Sequence, residues 1–339
     1  MPEFFHSPQM NPYATHRLLM VRPAQFGYNE QTSSTNAYQS NAFGEIIDPN
    51  EDLAHNNPTK TRYSSSECEH SVARQALAEF DESVSRLRTA GVHVTLWNDN
   101  TQPPKPDAIF LNNWFSTHPG GEFLLYPMMA ENRRAEIDPH HVAALKDMGL
   151  EAGPDLSGLA SINQFLEGTG SLVFDHRHRV IFATESPRTH RKPAETVAQH
   201  LGYRLHFLVA KDKHGSAPYH TNVVLSVGPS LAVACLHAIE KHDSSFPLRE
   251  HLIRDCRMLI EISPKQMNFY CANVLEVQNK DGEPLLIVSR TAWSAFTDQQ
   301  RIQISQLVRP VVLDIPLIER VGGGSARCMV AELFGVDAD

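Results

Sequence analysis

The chain has 339 residues, of which 41% are apolar and 20% are charged, with a mean hydropathy of −0.32. This composition is typical of a soluble globular protein that buries a core without disulfides or metals. The formal net charge of −9 and the low pI argue against a nucleic-acid or anionic-membrane surface. No apolar run reaches the roughly 18 residues that a membrane span needs.

The five cysteines are widely spaced and odd in number, which favours neither a disulfide framework nor a zinc ribbon. Four of them lie in apolar or helical runs and are interpreted as packing residues: Cys68, Cys235, Cys256 and Cys271. The N-terminus lacks a basic segment followed by an apolar run, so no secretory signal is predicted and a cytoplasmic location is expected.

In chain order, hydrophobic periodicity predicts short strands separated by helices and tight turns. A polar lead-in over 1–16 precedes a strand within 17–27, and a long irregular segment over 28–66 is of the kind that is more often functional than structureless. The elements predicted next are a helix over 71–91, a strand over 92–98, a strand pair over 108–118 and 122–129, a helix over 133–149, a hairpin over 171–185, a helix over 193–202, a strand over 204–210, a hairpin over 222–236, three further strands, a helix near 299–307 and a strand over 310–315.

This order of strand pairs and helices repeats along the chain as a pattern, without recognisable identity between the repeats. The frequent hairpins disfavour a plain Rossmann sheet, and no GxGxxG or Walker A motif follows a strand. No Pro/Gly/Ser-rich linker divides the chain. A single catalytic domain over 17–339 is therefore predicted.

Four residues suited to catalysis lie at the boundaries of predicted elements: Asp107, Glu167, His220 and Cys328. Each also has a plainer interpretation, as a buried apolar cysteine, a structural histidine or a solvated acid. The glycines of "GGGSARC" count against a core strand at Cys328, because glycine costs conformational entropy that such a strand does not require. A thiolate, a histidine and a carboxylate form a workable set for nucleophilic catalysis.

Two adjacent amides, Asn112 and Asn113, fall inside the apolar run "AIFLNNWF". Neighbouring residues of a strand point to opposite faces, so at least one of the two amides is expected to face inward. A buried amide needs hydrogen-bond partners. The pair is therefore a candidate polar site.

As a set, these motifs resemble the guanidino-group-modifying superfamily of arginine deiminases, dimethylarginine dimethylaminohydrolases and amidinotransferases. The segments that carry the likeness occur in family order: "MVRPAQFGYN", "PDAIFLNNWFSTH", "NRRAE", "LEGTGSLVFD", "ESPRTH", "YHTNVV", "CANVLEV" and "GGGSARCM". The chain most resembles the citrulline ureidase branch. This likeness implies an α/β fold, a five-bladed propeller of pseudo-fivefold ββαβ units around a central channel.

The resemblance also implies roles for individual residues. Cys328 corresponds to the nucleophile, His220 to the general acid and base, and Glu167 to the acid that binds a substrate nitrogen. The implied substrate-binding residues are Arg188 and one of Arg133 and Arg134, which hold the α-carboxylate, together with Asp107, Asn113 and Asn222. The plainer interpretation of the arginines is solvated surface charge. The segments "PAQFGYN" and "TNAYQ" resemble the loop that closes over the substrate.

Arginine-processing members of the superfamily usually carry aspartate at the positions of Asn113 and Asn222. A guanidinium is a cation with N–H donors only, whereas a ureido group is neutral and presents a carbonyl oxygen. Asparagine offers both a donor and an acceptor. The two asparagines therefore favour citrulline, or another ureide, over arginine.

The sequence thus predicts a hydrolase that converts citrulline to ornithine, ammonia and carbon dioxide through an S-carbamoyl intermediate, with no metal or organic cofactor. His140 and His141 are interpreted as part of a surface helix, and "DHRHR" over 175–179 as a hairpin tip. A hydrolase of arginine or methylarginine, an amidinotransferase and a non-catalytic amino-acid-binding propeller remain alternatives. The expected partner is a small-molecule substrate, and homo-oligomer formation is left open.

Overall fold

The computed structural model describes residues 10–40, 65–211, 215–241 and 246–336. The predicted lead-in and the irregular segment over 28–66 therefore lie partly outside the described residues. The strands form five small sheets. No helix in the described ranges is both long enough and apolar enough to cross a membrane.

One sheet joins the two ends of the described chain. It contains β1 (Arg17–Arg22), β2 (His93–Asn98) and the last strand, β16 (Ala331–Glu332). The first strand pairs in parallel with β2 and antiparallel with β16, with Leu18 opposite Glu332. The residues just before β16, which include Cys328, are thereby tied to the start of the fold.

The other four sheets share one pattern, an antiparallel strand pair followed by a helical crossover to a parallel strand. Their strands are β3 (Phe115–Thr117), β4 (Glu122–Leu125) and β5 (Glu151–Asp155); β6 (Leu172–Asp175), β7 (Val180–Thr184) and β8 (Arg204–Ala210); β9 (Leu225–Val227), β10 (Leu231–Ala234) and, after β11 (Ile239–Lys241), β12 (Met258–Glu261); and β13 (Leu275–Gln278), β14 (Pro284–Ser289) and β15 (Arg309–Leu313). Strand β11 pairs with β8. The number of sheets, five, is compatible with the predicted number of repeating units. Their arrangement around a channel stays a prediction.

The helices flank or connect these strands. They are α1 (Glu30–Ser33), α2 (Ser65–Thr89), α3 (Glu131–Arg134), α4 (Pro139–Asp147), α5 (Gly168–Ser171), α6 (Arg191–Leu201), α7 (Leu248–Leu252), α8 (Pro264–Met267), α9 (Arg290–Ala295), α10 (Asp298–Ser305) and α11 (Pro316–Gly322). The apolar stripe that predicts a helix over 71–91 is buried in α2, at Val72, Phe80, Val84 and Leu87. The helix begins earlier than predicted, at Ser65.

Several predictions of individual elements are confirmed, among them the strand over 92–98, the hairpin over 171–185 and the strand over 204–210. The single helix predicted over 133–149 is wrong, because two helices occupy this region. Asp138 caps the second helix by accepting the N–H of His140, and Pro139 occupies its first turn. A proline there starts a helix but cannot continue one from before it.

The strand predicted to begin at 108 is also wrong, because β3 begins only at Phe115. Asn112 and Asn113 lie in a 3₁₀ turn over Leu111–Asn113, and both are buried. They therefore do not alternate between two faces of a strand. Both amides face the interior and bond with partners there.

Polar turns, each of which precedes one strand in a different sheet, are the feature that builds the site. They are Leu111–Asn113 before β3, α5 before β6, Thr221–Val223 before β9, the segment 272–274 before β13, and Ala326–Met329 before β16. The turn at Leu111–Asn113 packs against α5 and Ala326–Met329, and α5 packs against Thr221–Val223. Side chains that are far apart in sequence are thereby brought together.

Candidate active site

Cys328 lies in a buried 3₁₀ turn, and its side chain faces the other polar turns. Its N–H donates to the carbonyl oxygen of Ser325 at 2.9 Å. Gly323 has a φ of +66°, and a Cβ on Gly324 would lie 2.8 Å from the ring of Phe110. Glycine therefore allows the left-handed conformation at Gly323 and the close approach of Gly324 to Phe110, and the segment forms a packed turn.

A histidine–carboxylate pair lies in the neighbouring turns. The Nε2 atom of His220 is 2.8 Å from Oε2 of Glu167, and both residues are almost completely buried. Burial lowers the pKa of His220 to about 4, although the bond to Glu167 acts to raise it. The imidazole is therefore neutral at pH 7. Because an ionised carboxylate only accepts, Nε2 carries the proton and Nδ1 is left as an acceptor.

The charge of Glu167 is stabilised by groups around it. Burial acts to raise its pKa, but Arg188 and the hydrogen bond from His220 outweigh burial and hold the pKa well below its usual range. Its Oε1 accepts the main-chain N–H of Met129 at 3.1 Å, and Oε2 lies 3.5 Å from Nη1 of Arg188. Glu167 is therefore an ionised acceptor that orients the imidazole.

Two asparagine amides contact the sulfur of Cys328. The Nδ2 atom of Asn273 lies 3.2 Å from Sγ, and Nδ2 of Asn222 lies 3.6 Å from it. Asn222 also donates to the carbonyl oxygen of Thr169 at 3.4 Å. Its Oδ1 is buried without a hydrogen-bond partner among the described residues, as is Nδ1 of His220. These two bare acceptors are available to a substrate.

Asn113 is held in one orientation by a buried arginine. Nη1 of Arg133 donates to Oδ1 of Asn113 at 2.6 Å, and Nδ2 of Asn113 donates to Oδ1 of Asn112 at 3.0 Å. A Cβ on Gly170 would lie 2.6 Å from Nδ2 of Asn113 and equally close to Nδ1 of His220. Nδ2 of Asn113 and the unpartnered Nδ1 of His220 therefore border the same small space.

The remaining donors of Arg133 and Arg134 are engaged within the protein. Arg133 makes a two-point ion pair with Glu136, at 2.8 and 3.0 Å, and donates to the carbonyl oxygen of Phe110. Arg134 donates to the carbonyl oxygens of Met128 and Met129, both at 3.1 Å. Neither guanidinium has the solvated surface position of the plainer interpretation.

The segment over 29–40, which contains α1 and "TNAYQ", covers this site. Arg188 donates to Oγ1 of Thr35 at 2.9 and 2.7 Å and to the carbonyl oxygen of Thr32 at 2.8 Å. Asp107 accepts from Asn29 at 2.7 Å and from Thr32 at 3.2 Å, and its Oδ1 is buried without a partner in the described part of the chain. Arg188, which is predicted to hold the α-carboxylate, and Asp107, which is predicted to bind substrate, thus both face this segment.

The structure brings Cys328, His220, Glu167, Asn113 and Asn222 into one buried cluster, with Arg133, Arg188 and Asp107 beside it and Arg134 bonded to the main chain nearby. Asn273 was missed by sequence reasoning. The signal that could have identified it is positional, because Asn273 lies in "CANVLEV" just before a strand, as Asn113, Asn222 and Cys328 do.

The predictions for the other cysteines have different outcomes. Cys235 and Cys271 are buried, and burial raises the pKa of Cys271 to about 12, which suits an inert packing residue. Cys256 is exposed and has a φ of +64°, so its interpretation as a packing residue is wrong. The side chain of Cys68 lies outside the described residues.

One cluster of potential metal ligands occurs away from Cys328, at Asp175, His178 and His251. His178, His251 and Arg257 all approach the same oxygen of Asp175, at 2.9, 3.0 and 2.9 Å. A guanidinium on that oxygen repels a cation, so the cluster is better described as a hydrogen-bonded carboxylate. The expectation that the protein uses no metal or organic cofactor stays a prediction.

Comparisons with known proteins identify the family. The family model described as "N,N dimethylarginine dimethylhydrolase, eukaryotic" matches residues 44–335. No curated protein sequence gives a significant match.

Solved structures share the fold at low sequence identity. The substrate-bound N-terminal domain of ArgZ, an arginine dihydrolase from cyanobacteria, superposes with a TM-score of 0.65 at 16% identity, over 94% of this chain and 98% of that chain. Unliganded AgrE gives 0.66 at 16% identity, over 97% of this chain and 41% of its own. A dimethylarginine dimethylaminohydrolase in an adduct with S-methyl-L-thiocitrulline gives 0.58 at 14% identity, over 94% and 99%.

These similarities confirm the mixed α/β fold and the resemblance drawn from the sequence motifs. The family match spans most of the chain and includes every residue of the candidate site. The chain belongs to the N,N-dimethylarginine dimethylhydrolase family, within the superfamily of amidinotransferases and arginine deiminases.

Proposed function

We propose that this protein is a cysteine-dependent hydrolase that cleaves a carbon–nitrogen bond at the guanidino or ureido carbon of an arginine-like amino acid. The observation that carries the proposal is the buried His220–Glu167 pair, with Nδ1 of His220 unpartnered in the same cluster as Cys328. A nucleophile, a base and a residue that orients the base are the parts that covalent catalysis requires. We also propose that the five sheets are arranged as the blades of a propeller.

The chemistry follows from the protonation of these groups. Nδ1 of His220 takes the thiol proton of Cys328, and the thiolate attacks the substrate carbon. The imidazolium then returns that proton to the departing amine or ammonia, which leaves a covalent intermediate on sulfur. His220 next deprotonates a water molecule, which hydrolyses the carbon–sulfur bond. With citrulline, the released N-carboxy-ornithine loses carbon dioxide and gives ornithine.

The relatives favour a guanidino substrate. The description of the matching family names dimethylarginine, and ArgZ is an arginine dihydrolase whose structure holds its substrate. On this basis arginine or a methylarginine is a strong candidate. Hydrolysis at the guanidino carbon would release ammonia or a methylamine and leave citrulline.

The orientation of the two asparagines favours a ureido group. Arg133 is a donor only and takes Oδ1 of Asn113, so Asn113 offers an N–H to the pocket. Asn222 instead offers its bare Oδ1. One donor and one acceptor match a ureido group, which has a carbonyl oxygen and N–H groups, whereas a guanidinium has no acceptor. Citrulline is therefore the substrate that the geometry of the site favours.

The amino-acid head is proposed to bind Arg188 and Asp107. In the present arrangement Thr32 and Thr35 occupy Arg188, so the segment over 29–40 has to move for a carboxylate to replace them. The bare Oδ1 of Asp107 suits an α-ammonium group. Arg133 is less suited to the carboxylate, because Glu136 and Asn113 already bind it.

Product analysis tests the proposal. The purified protein is incubated separately with citrulline, arginine and dimethylarginine, and the products are identified by mass. Ornithine and ammonia from citrulline support the ureidase, whereas citrulline formed from arginine or dimethylarginine supports the guanidino hydrolase. We expect Cys328→Ala to lose roughly 10³-fold or more in kcat, and the buried Cys271→Ala to retain activity. Turnover that survives in Cys328→Ala would refute the mechanism.

Two further alternatives are separated by the same assay. An amidinotransferase would form a new amidine when an acceptor amine is added, and hydrolysis without an acceptor argues against it. A non-catalytic binding protein would bind one of the amino acids in calorimetry and yield no product from any of them.

A further inference from the structure

Asn273 is completely buried, and its carboxamide makes the shortest hydrogen bond to the sulfur of Cys328. At its other end, Oδ1 of Asn273 accepts the main-chain N–H of Arg327 at 3.1 Å. One side chain therefore bridges the sulfur and the main chain of the residue just before it.

This bridge fixes which end of the amide faces the sulfur. The N–H of Arg327 can only donate, so the oxygen of Asn273 must face it, and the NH₂ group is the end nearer Sγ, at 3.2 Å against 3.6 Å for the oxygen, which accepts from the sulfur only while the thiol is protonated. Hydrogen bonds to a charged acceptor are stronger than those to a neutral one, so this contact favours sulfur in its anionic form. Nδ2 of Asn222 lies farther from Sγ, at 3.6 Å.

The backbone around Asn273 is held in place. Its N–H donates to the carbonyl oxygen of Tyr270 at 2.8 Å, and Tyr270 has the left-handed φ of +61°. Strand β13 follows two residues later. Asn273 is therefore presented by a tight turn at the start of a sheet, and its amide has little freedom to turn away from the sulfur.

We infer that Asn273 is a catalytic residue, whose N–H stabilises the negative charge on Sγ of Cys328 and sets the direction of its attack. The inference rests on the proposed function in one respect only, the role of Cys328 as the nucleophile. Loss of the N–H should slow every reaction of this thiol, with or without substrate.

Three substitutions of Asn273 together separate this role from simple anchoring of the turn. Aspartate keeps an oxygen for the N–H of Arg327 but replaces the donor toward sulfur by a negative charge. Asn273→Ala removes both contacts, and Asn273→Ser returns a shorter hydroxyl donor. Asn163→Asp is the matched control, because Asn163 is exposed and its positive φ is one that aspartate also tolerates.

Each variant is treated with iodoacetamide, and alkylation of the peptide that contains Cys328 is followed by mass. We expect Asn273→Asp and Asn273→Ala to slow alkylation by about tenfold or more, Asn273→Ser to recover part of the rate, and Asn163→Asp to match the unaltered protein. With a substrate that is turned over, kcat should fall in parallel while KM changes little.

Anchoring alone would leave Asn273→Ser as slow as Asn273→Ala, because the returned hydroxyl would then have no effect on the sulfur, and that result would overturn the inference. The alkylation rate needs no substrate, so it separates the two proposals. Slow alkylation in a protein that hydrolyses none of the amino acids would refute the proposed function and leave the effect of Asn273 on the thiol standing. Thermal midpoints for all variants identify any that are not folded.

Discussion

At the scale of single residues, the proposed preference for a ureido substrate rests on two neutral amides. Asn113 and Asn222 lie where a cationic substrate would be served better by carboxylates, because a buried guanidinium without opposite charge is poorly compensated. The positive charge of Arg133 beside Asn113 is already paired with Glu136. A neutral ureido group needs no opposite charge at the amides, so changing the charge of the amides should change the preference.

Asn113→Asp combined with Asn222→Asp is therefore expected to weaken citrulline binding by about tenfold and to strengthen arginine binding. The new carboxylates repel the ureido oxygen and attract the guanidinium. Dissociation constants are measured by calorimetry in a Cys328→Ala background, which prevents turnover. Asn163→Asp in the same background controls for the added charge. Tighter citrulline binding in the double variant would contradict the assignment of the amides.

At the scale of elements, we expect the segment over 29–40 to control access to the site. It is attached to the glycine turn through Asn36, whose Nδ2 donates to the carbonyl oxygens of Gly322 and Gly323 at 3.3 and 3.4 Å. Ser40 adds a main-chain bond to the carbonyl oxygen of Arg320. Because the catalytic side chains are buried beneath it, the segment must open for substrate and close again for reaction.

Asn36→Ala should loosen this attachment. A net hydrogen bond contributes about 1 kcal/mol, so the closed form should be weakened roughly fivefold, which would raise KM by a similar factor with a smaller effect on kcat. Hydrogen exchange over 29–40 should become faster. Ser34→Ala, in the same segment but exposed, serves as the control. Unchanged exchange and KM would show that Asn36 does not hold the segment closed.

Sequence reasoning works for elements whose signal is local. The apolar stripe of α2 and the alternation in β2 are periodic, so both are predicted. The turn at Asn112 and Asn113 is not predicted, because it lies within the apolar run "AIFLNNWF" and its conformation depends on packing against α5. The bond of Arg133 to Asn113 joins residues from different elements, and no local pattern in the sequence indicates it.

Within the site, the motifs identify which residues are chemical but not how each is oriented. One of Arg133 and Arg134 is predicted to hold the α-carboxylate; the structure bonds Arg133 to Glu136 and Asn113, and Arg134 to main-chain carbonyl oxygens. Asn273 has no signal of its own, since a single asparagine before a strand is ordinary. Its importance is visible only in the fold, which places the turn that contains Asn273 beside Cys328.

At the scale of the whole molecule, buried histidines connect stability to pH. His118 is buried, and burial lowers its pKa well below the ordinary value of 6.5. Unfolding exposes the imidazole, which then binds a proton below pH 6.5 while the folded form does not. The unfolded state thus binds more protons in acid, so stability present at neutral pH is lost as the pH falls below 6.5. His220 acts in the same direction, whereas burial raises the pKa of Glu79 to about 7 and opposes it.

The contribution of His118 is isolated from these opposing ones by comparing the unaltered protein with a variant that lacks this histidine. His118→Gln removes the titration and keeps a polar group near Oγ of Ser116, which contacts Nε2 of His118 at 2.8 Å. The free energy of unfolding is measured in urea at pH 7 and pH 5. The unaltered protein should lose about 2 kcal/mol more than the variant over this range, because an exposed histidine gains that much from protonation. Lys146→Gln, in the last turn of α4, serves as the control. Equal losses in the unaltered protein and His118→Gln would mean that His118 is protonated in the folded state, and that its burial does not make the fold sensitive to acid.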